Sequence, residues 1–171
     1  MSRSITILLL AAFCLTSVLG SFPHFSQGDA RWKNQILGHG PATIGQAGCL
    51  MTSVTSLCAG LGIHVNGGTP NPSTMNNWLK AHGGFVSGDL FVWGSVASLG
   101  LHYVGHVTSH SQIVSALKQG RHVILNVNGG HHWVLATGHT STGYTVMDPG
   151  YARSSYKTSE VVGAGVFRHG K

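Results

Sequence analysis

Three side chains in this sequence have the chemistry of a nucleophile, a base and an orienting acid, and they occur in that order: Cys49, His132 and Asp148. Cys49 sits in GQAGCLMTSVTS, residues 45–56, where glycines deliver it to the first turn of a predicted helix. A thiol at that position faces unpaired backbone N–H groups and the positive end of the helix dipole, both of which favour thiolate over thiol. Free cysteines also pack often as small hydrophobes. The nucleophile reading therefore depends on a base elsewhere in the chain.

That base is expected from a hairpin. HHWVLATG and GYTVMDPG are β-rich runs separated by GHTSTG. Pairing them about a turn near Thr140 sets His132 opposite Asp148, Val134 opposite Val146 and Ala136 opposite Tyr144. Cross-strand neighbours have Cβ atoms about 5 Å apart, within reach of an imidazole–carboxylate hydrogen bond. The carboxylate would then fix the tautomer while the other ring nitrogen takes the thiol proton. Strand alternation sends His131 to the opposite face from His132. It therefore argues against a zinc site shared by His131, His132 and Cys49. No C-x-x-C or H-E-x-x-H pattern supports a metal. Taken singly, His132 is a satisfied hairpin histidine and Asp148 the start of an Asp-Pro-Gly turn; the triad reading comes from their occurring together with Cys49.

The elements that must position these groups are legible from periodicity. From Leu50 onward, apolar residues at Leu50, Val54, Leu57, Cys58 and Leu61 form one helical face. Cys49 is off that stripe and shares a strip with Thr52, Ser53 and Ser56, against which another layer could pack closely. Gly60 and Gly62 stop the helix. PNPSTMNNWLKAHGG predicts a second helix capped by Ser73 or Asn71, burying Met75, Trp78 and Leu79. A third is expected from Asp89 as cap through Leu90, Trp93, Val96 and Ala97 to Gly100, and a fourth over residues 111–119. Trp78 and Trp93 are expected in the core rather than against substrate. Beyond Gly120 the pattern turns to strands, RHVILNV and the two runs above, with a last short strand near residues 165–168. Helices first and an antiparallel meander second predict an α+β domain whose sheet packs on the cysteine helix.

Composition bounds the rest. The chain has 171 residues, 42% of them hydrophobic and only 8% charged, enough for one domain with a real core. Residues 1–20 read as a secretory signal, with Arg3 as a basic start, an apolar run over residues 5–19, and cleavage after Gly20. The mature segment, residues 21–171, is expected to be a soluble single domain, secreted or held in the lumen of the secretory or endolysosomal pathway, with no stable membrane insertion. Cleavage removes Cys14 and leaves Cys49 and Cys58. These lie about 13 Å apart on one helix, whereas a disulfide needs Cα atoms within about 7 Å. Cys49 is thus a free thiol in an exported protein, which counts toward reactivity. The 10 Lys and Arg are scattered, without a basic run or interleaved aromatics, so no nucleic-acid partner is expected. Residues 21–48 are too few for a separate inhibitory prodomain.

SQGDARW, TIGQAGCLMTS, HHWVLATG and YTVMDPG together resemble the papain-like cysteine peptidases related to the bacteriocin-processing, double-glycine leader peptidases. The resemblance spans the mature chain and implies a papain-like fold, with a central helix packed on an antiparallel sheet. It implies Cys49 as nucleophile, His132 as general base and acid, and Asp148 as orienter. The oxyanion-hole glutamine of the family precedes the cysteine. Gln27 in SQGDARW is its expected match, and Gln46, three residues before Cys49, is the rival. Leu50 departs from the pattern, since many relatives follow the cysteine with glycine or glutamate. With no transporter segments in the sequence, export-coupled leader cleavage is not its expected job. The implied activity is an exported cysteine peptidase or amidase acting as a monomer on a peptide or peptide-like substrate, with no metal or organic cofactor. The alternatives are a catalytically inactive peptide- or wall-binding module on the same fold and a histidine-rich metal-sequestering protein.

Overall fold

A computed structural model describes residues 21–170; the expected signal segment and Cys14 lie outside the described residues. The cysteine helix is the centre of the molecule. A short helix α1 (Ile44–Ala47) ends at Gly48, and α2 (Cys49–Gly60) starts on the next residue, so the chain re-enters helix with Cys49 in the first position. From Met51 to Cys58 every side chain of α2 is buried. The helix is therefore enclosed on all sides rather than half-solvated, and the apolar stripe describes only the more hydrophobic part of a fully covered surface. Leu50, at the head of that stripe, is only half-buried.

The small polar strip lets a strand come close. The Ser53 hydroxyl donates to the Trp133 carbonyl at 3.2 Å, and the Thr55 hydroxyl turns back to the Met51 carbonyl at 2.8 Å. α3 (Pro72–Ala81) packs on α2 with Met75, Trp78 and Leu79 buried. Its cap is Asn71, whose side chain accepts from Thr74 N–H. Ser73 lies inside the helix.

The expected third helix is shorter and starts later. β1 (Phe85–Val86) and β2 (Leu90–Phe91) form a small hairpin, and only Trp93–Leu99 winds, as a 3-10 helix capped by Val92. Asp89 is therefore not a helix cap. Its carboxylate accepts from Ala42 N–H at 3.2 Å and ties the hairpin to the preceding loop. Local spacing cannot separate these outcomes, because Leu90 and Phe91 fit a strand as well as a helix.

The six-stranded antiparallel sheet also departs from a plain meander. It runs β3 (Leu101–Val107), β8 (Val161–His169), β4 (His122–Val127), β5 (His132–His139), β6 (Gly143–Met147) and β7 (Ser155–Lys157), in that spatial order. β3 precedes α4 (His110–Lys118), so helices do not all come first. The last strand is nine residues long and central, pairing with both β3 and β4. One face of the sheet covers α2 and α3 through Ile124, Leu135 and Phe167; the other meets Ile113 and Ala116 of α4. Architecture and fold class are α+β, as the sequence predicts.

Trp93 lies in the aromatic layer between the 3-10 helix and the sheet. Its ring contacts Phe91, Tyr103, Trp133 and Phe167, with centroids 5.1–6.1 Å apart. It lies against Gly165 of β8, where an added Cβ would come within 2.1 Å of the ring. Gly165→Ala must displace that ring. Overpacking of this kind costs about 1–3 kcal/mol, and a drop of several degrees in the thermal unfolding midpoint is expected; an unchanged midpoint would show that Trp93 is not packed as described.

Candidate active site

β5 and β6 carry His132 and Asp148, but in a different register from the one expected. Leu135 pairs with Met147 and Ala136 with Val146, and a bulge before Gly138 shifts the pairing again, so that His139 meets Tyr144. The strand runs two residues out of the expected register. A slip of two preserves the face on which every side chain lies, whereas a slip of one would have reversed it. His132 and Asp148 consequently sit as a diagonal pair on the same face, and the His132 Nε2 donates to Asp148 Oδ1 at 2.6 Å. His131 is a second correction. β5 begins at His132, so alternation does not govern its neighbour; His131 follows the turn at Asn128–Gly130 and lies exposed beside the same cleft.

Asp148 is 1% exposed, and both of its oxygens are taken. Oδ1 also accepts from Gly150 N–H at 2.8 Å and Tyr151 N–H at 3.0 Å, while Oδ2 accepts from the Tyr156 hydroxyl at 2.7 Å. The Asp-Pro-Gly turn thus wraps its own carboxylate. Gly150 is needed there because a Cβ would fall 2.8 Å from His132 Cε1 and 3.4 Å from Gln27 Oε1. The Tyr151 ring stands edge-on to the imidazole, with centroids 5.0 Å apart.

The N-terminal segment closes the site from the other side. Gln27 N–H donates to the Pro149 carbonyl at 2.8 Å, and His24 Nε2 donates to the Asp148 carbonyl at 2.6 Å. The Gln27 amide reaches the α1 turn, with Nε2 donating to the Gly45 carbonyl at 3.0 Å. Gln46 is exposed, and its Oε1 accepts from Thr43 N–H at 2.9 Å in the cap of α1. Gln27 is therefore held against the Asp148–Gly150 turn, while Gln46 lines the same cleft with its Oε1 used in the cap of α1.

Cys49, His132 and Gln27 line one cleft of about 550 Å3, together with Gly150 and Tyr151. With Nε2 bonded to Asp148, Nδ1 is the ring nitrogen left for the Cys49 thiol. Burial by itself would lower the His132 pKa; hydrogen bonding and attraction to Asp148 and to Cys49 outweigh it and push the imidazole from 6.5 up to about 9. Burial would raise the Asp148 carboxyl, and the donors from His132, Tyr156 and Gly150 prevail, holding it below its ordinary 3.8. The two cysteines are both unpaired but differ in setting. Cys58 is wholly buried, and burial pushes its thiol up to about 12, whereas Cys49 is half-exposed at the cleft. Among the described residues no three His, Cys, Asp or Glu side chains converge as metal ligands. No helix of the described residues is long and apolar enough to cross a membrane.

A family model, the Peptidase_C39 like family, matches residues 21–167. The chain belongs to this family. No curated protein matches it, and no solved structure does. Membership makes the chain cysteine peptidase-like and its α+β architecture papain-like.

Sequence reasoning missed Tyr156, Gly150, Tyr151 and His24. The Asp-Pro-Gly motif gave a turn, and its folding back of N–H groups onto the Asp is a known habit of such turns. Nothing in the spacing marked Tyr156, which reaches Asp148 through the pairing of β6 with β7. Tyr156→Phe removes a buried hydrogen bond to a charged group and is expected to cost about 1.5–3 kcal/mol in chemical denaturation. A loss within error of zero would show that Oδ2 finds another donor.

The ion pair also fixes a pH dependence. His132 is raised in the folded state, so its contribution is complete below about pH 6.5 and is lost as pH rises through about 9. Asp148 is depressed, so its contribution is present above about pH 4 and is lost on acidification. The stability difference between wild type and His132→Ala should therefore be largest between about pH 4 and 6.5 and shrink toward pH 9. Parallel stability–pH curves for the two proteins would contradict this.

Proposed function

We propose that the protein is an exported cysteine peptidase or amidase that hydrolyses a peptide or peptide-like substrate through Cys49, His132 and Asp148, with Gln27 in the oxyanion hole. The observation that carries this reading is the convergence of a half-exposed thiol at a helix start with a buried, carboxylate-bonded imidazole in one open cleft. Family membership supports the reaction class. The N-terminal basic and apolar pattern supports export.

In this mechanism the thiol proton passes to His132 Nδ1, and the thiolate–imidazolium pair is stabilised by the same contacts that raise the imidazole to about 9. Sulfur attacks the substrate carbonyl carbon, forming a C–S bond and an oxyanion. Two donors are suited to that oxygen. One is the second hydrogen of Gln27 Nε2, the first being used on Gly45. The other is the Cys49 N–H, which as the first of α2 has no intrahelical acceptor. Collapse breaks the C–N bond as His132 gives its proton to the leaving amine. Water, deprotonated by the same imidazole, cleaves the thioester and restores the thiol. Asp148 keeps the ring in place throughout. The mechanism calls for no cofactor.

At pH 6, iodoacetamide should alkylate Cys49 in the native protein faster than it alkylates glutathione, and should leave Cys58 untouched. His132→Ala should slow the Cys49 reaction at least tenfold. Peptides from a randomised pool should be cleaved by wild type and not by Cys49→Ala. Gln27→Ala should lose about 10²–10³ in kcat. A Cys49 rate equal to glutathione's and indifferent to His132→Ala would overturn the reading, and would favour the inactive binding module instead.

A further inference from the structure

The chain has only four carboxylate side chains, and three of them are committed. Asp29 pairs with Arg31 at 2.7 Å, Glu160 with Arg153 at 2.7 Å, and Asp148 with His132. The fourth, Asp89, makes no ion pair with any described residue and lines the cleft that holds Cys49. One of its oxygens accepts from Ala42 N–H; no described group donates to the other. Apolar side chains lining the same cleft include Leu37, Phe85, Leu90 and Phe91, of which Leu90 is 59% exposed. The hairpin that carries Asp89, Phe85, Leu90 and Phe91 is tied to the loop before α1 by the Asp89–Ala42 bond and by His39 N–H donating to the Gly88 carbonyl at 2.8 Å.

An apolar surface ending in a single carboxylate has one natural complement. Lys and Arg side chains lay their aliphatic stems on apolar surface and carry a cation at the tip. A glutamate or aspartate is repelled there, and an aliphatic side chain uses the wall but leaves the carboxylate without a partner. The protein as a whole carries a formal charge of +6, so its long-range field does not attract cationic substrates. Any selection of a cation must come from this local contact. We propose that Asp89 is a specificity-determining residue, and that the cleft takes peptide or peptide-like substrates bearing a lysine or arginine side chain, or an equivalent primary amine, close to the bond that is cleaved. The proposal rests on the reading of Cys49 as the nucleophile of a hydrolase.

The probe is a pool of randomised hexapeptides in which each position carries lysine, arginine, glutamate or norleucine, the last matching the lysine stem without its charge. Two readouts are taken: cleavage by the wild-type full chain, sequenced by mass spectrometry, and retention of the same peptides on the full-length Cys49→Ala variant. At one position the lysine-to-norleucine ratio is expected to be about tenfold, in line with one partly exposed charge-assisted hydrogen bond. Asp89→Asn keeps an oxygen for Ala42 N–H and removes the charge, so that ratio should fall to near one. If nothing is cleaved but retention still favours lysine in an Asp89-dependent way, the charge selection stands and the hydrolase reading fails. A lysine-to-norleucine ratio near one at every position in both readouts, or a preference that survives Asp89→Asn, overturns the inference.

Discussion

A carboxylate with 1% of its surface exposed must find donors inside the protein or lose its charge, and Asp148 finds four. They come from three parts of the chain. His132 comes from the neighbouring strand, Gly150 and Tyr151 from the turn that follows, and Tyr156 from the edge strand β7. The N-terminal segment is held to the same turn by His24 and Gln27. Removing any one of the four donors to Asp148 leaves the buried charge short of a partner, which is costlier than the bond itself is worth. The site is thus rigid because its central group is expensive to bury alone.

The same arrangement orders the electrostatics. Asp148 stays charged because its donors outweigh its burial, and its hydrogen bond and charge raise the His132 imidazole above an ordinary histidine. The Cys49 sulfur comes from a different layer, the start of α2, so the cleft lies where helix and sheet meet. That junction is held by the Ser53–Trp133 hydrogen bond and by the close approach that small residues on α2 permit. The strip of Thr and Ser that brings β5 near α2 thus also brings His132 and Cys49 to one cleft.

The cleft beside this junction is asymmetric in chemistry. Its hydrogen-bonding groups gather around Gln27, Cys49 and His132, while the β1–β2 hairpin adds aromatic and aliphatic surface with one carboxylate. The hairpin is small and tied down at few points, and Leu90 and Val86 face solvent from it. The hairpin thus lies apart from the six-stranded sheet that carries His132, with Phe85 and Phe91 packed against the core.

The sequence by itself determined the nature of the participants. A glycine-preceded cysteine off the apolar stripe, a period change near Gly120, and a histidine and an aspartate in consecutive β runs were enough for the α+β class and for singling out Cys49, His132 and Asp148 as candidates, because these signals are local and follow from the 3.6- and 2-residue periods. Face was legible for the same reason: a register error of two leaves His132 and Asp148 on one side. Tertiary structure alone decided the rest. The bulge near Gly138, the central place of β8, the strand at Leu101–Val107 and the seating of Gln27 against the Asp148–Gly150 turn depend on contacts between residues far apart in the chain. Tyr156 reaches Asp148 only after β7 has paired with β6, and Asp89 reaches the cleft only once its hairpin has docked on the loop before α1. Local spacing carries no information about such meetings, since they join residues of separate segments of the chain.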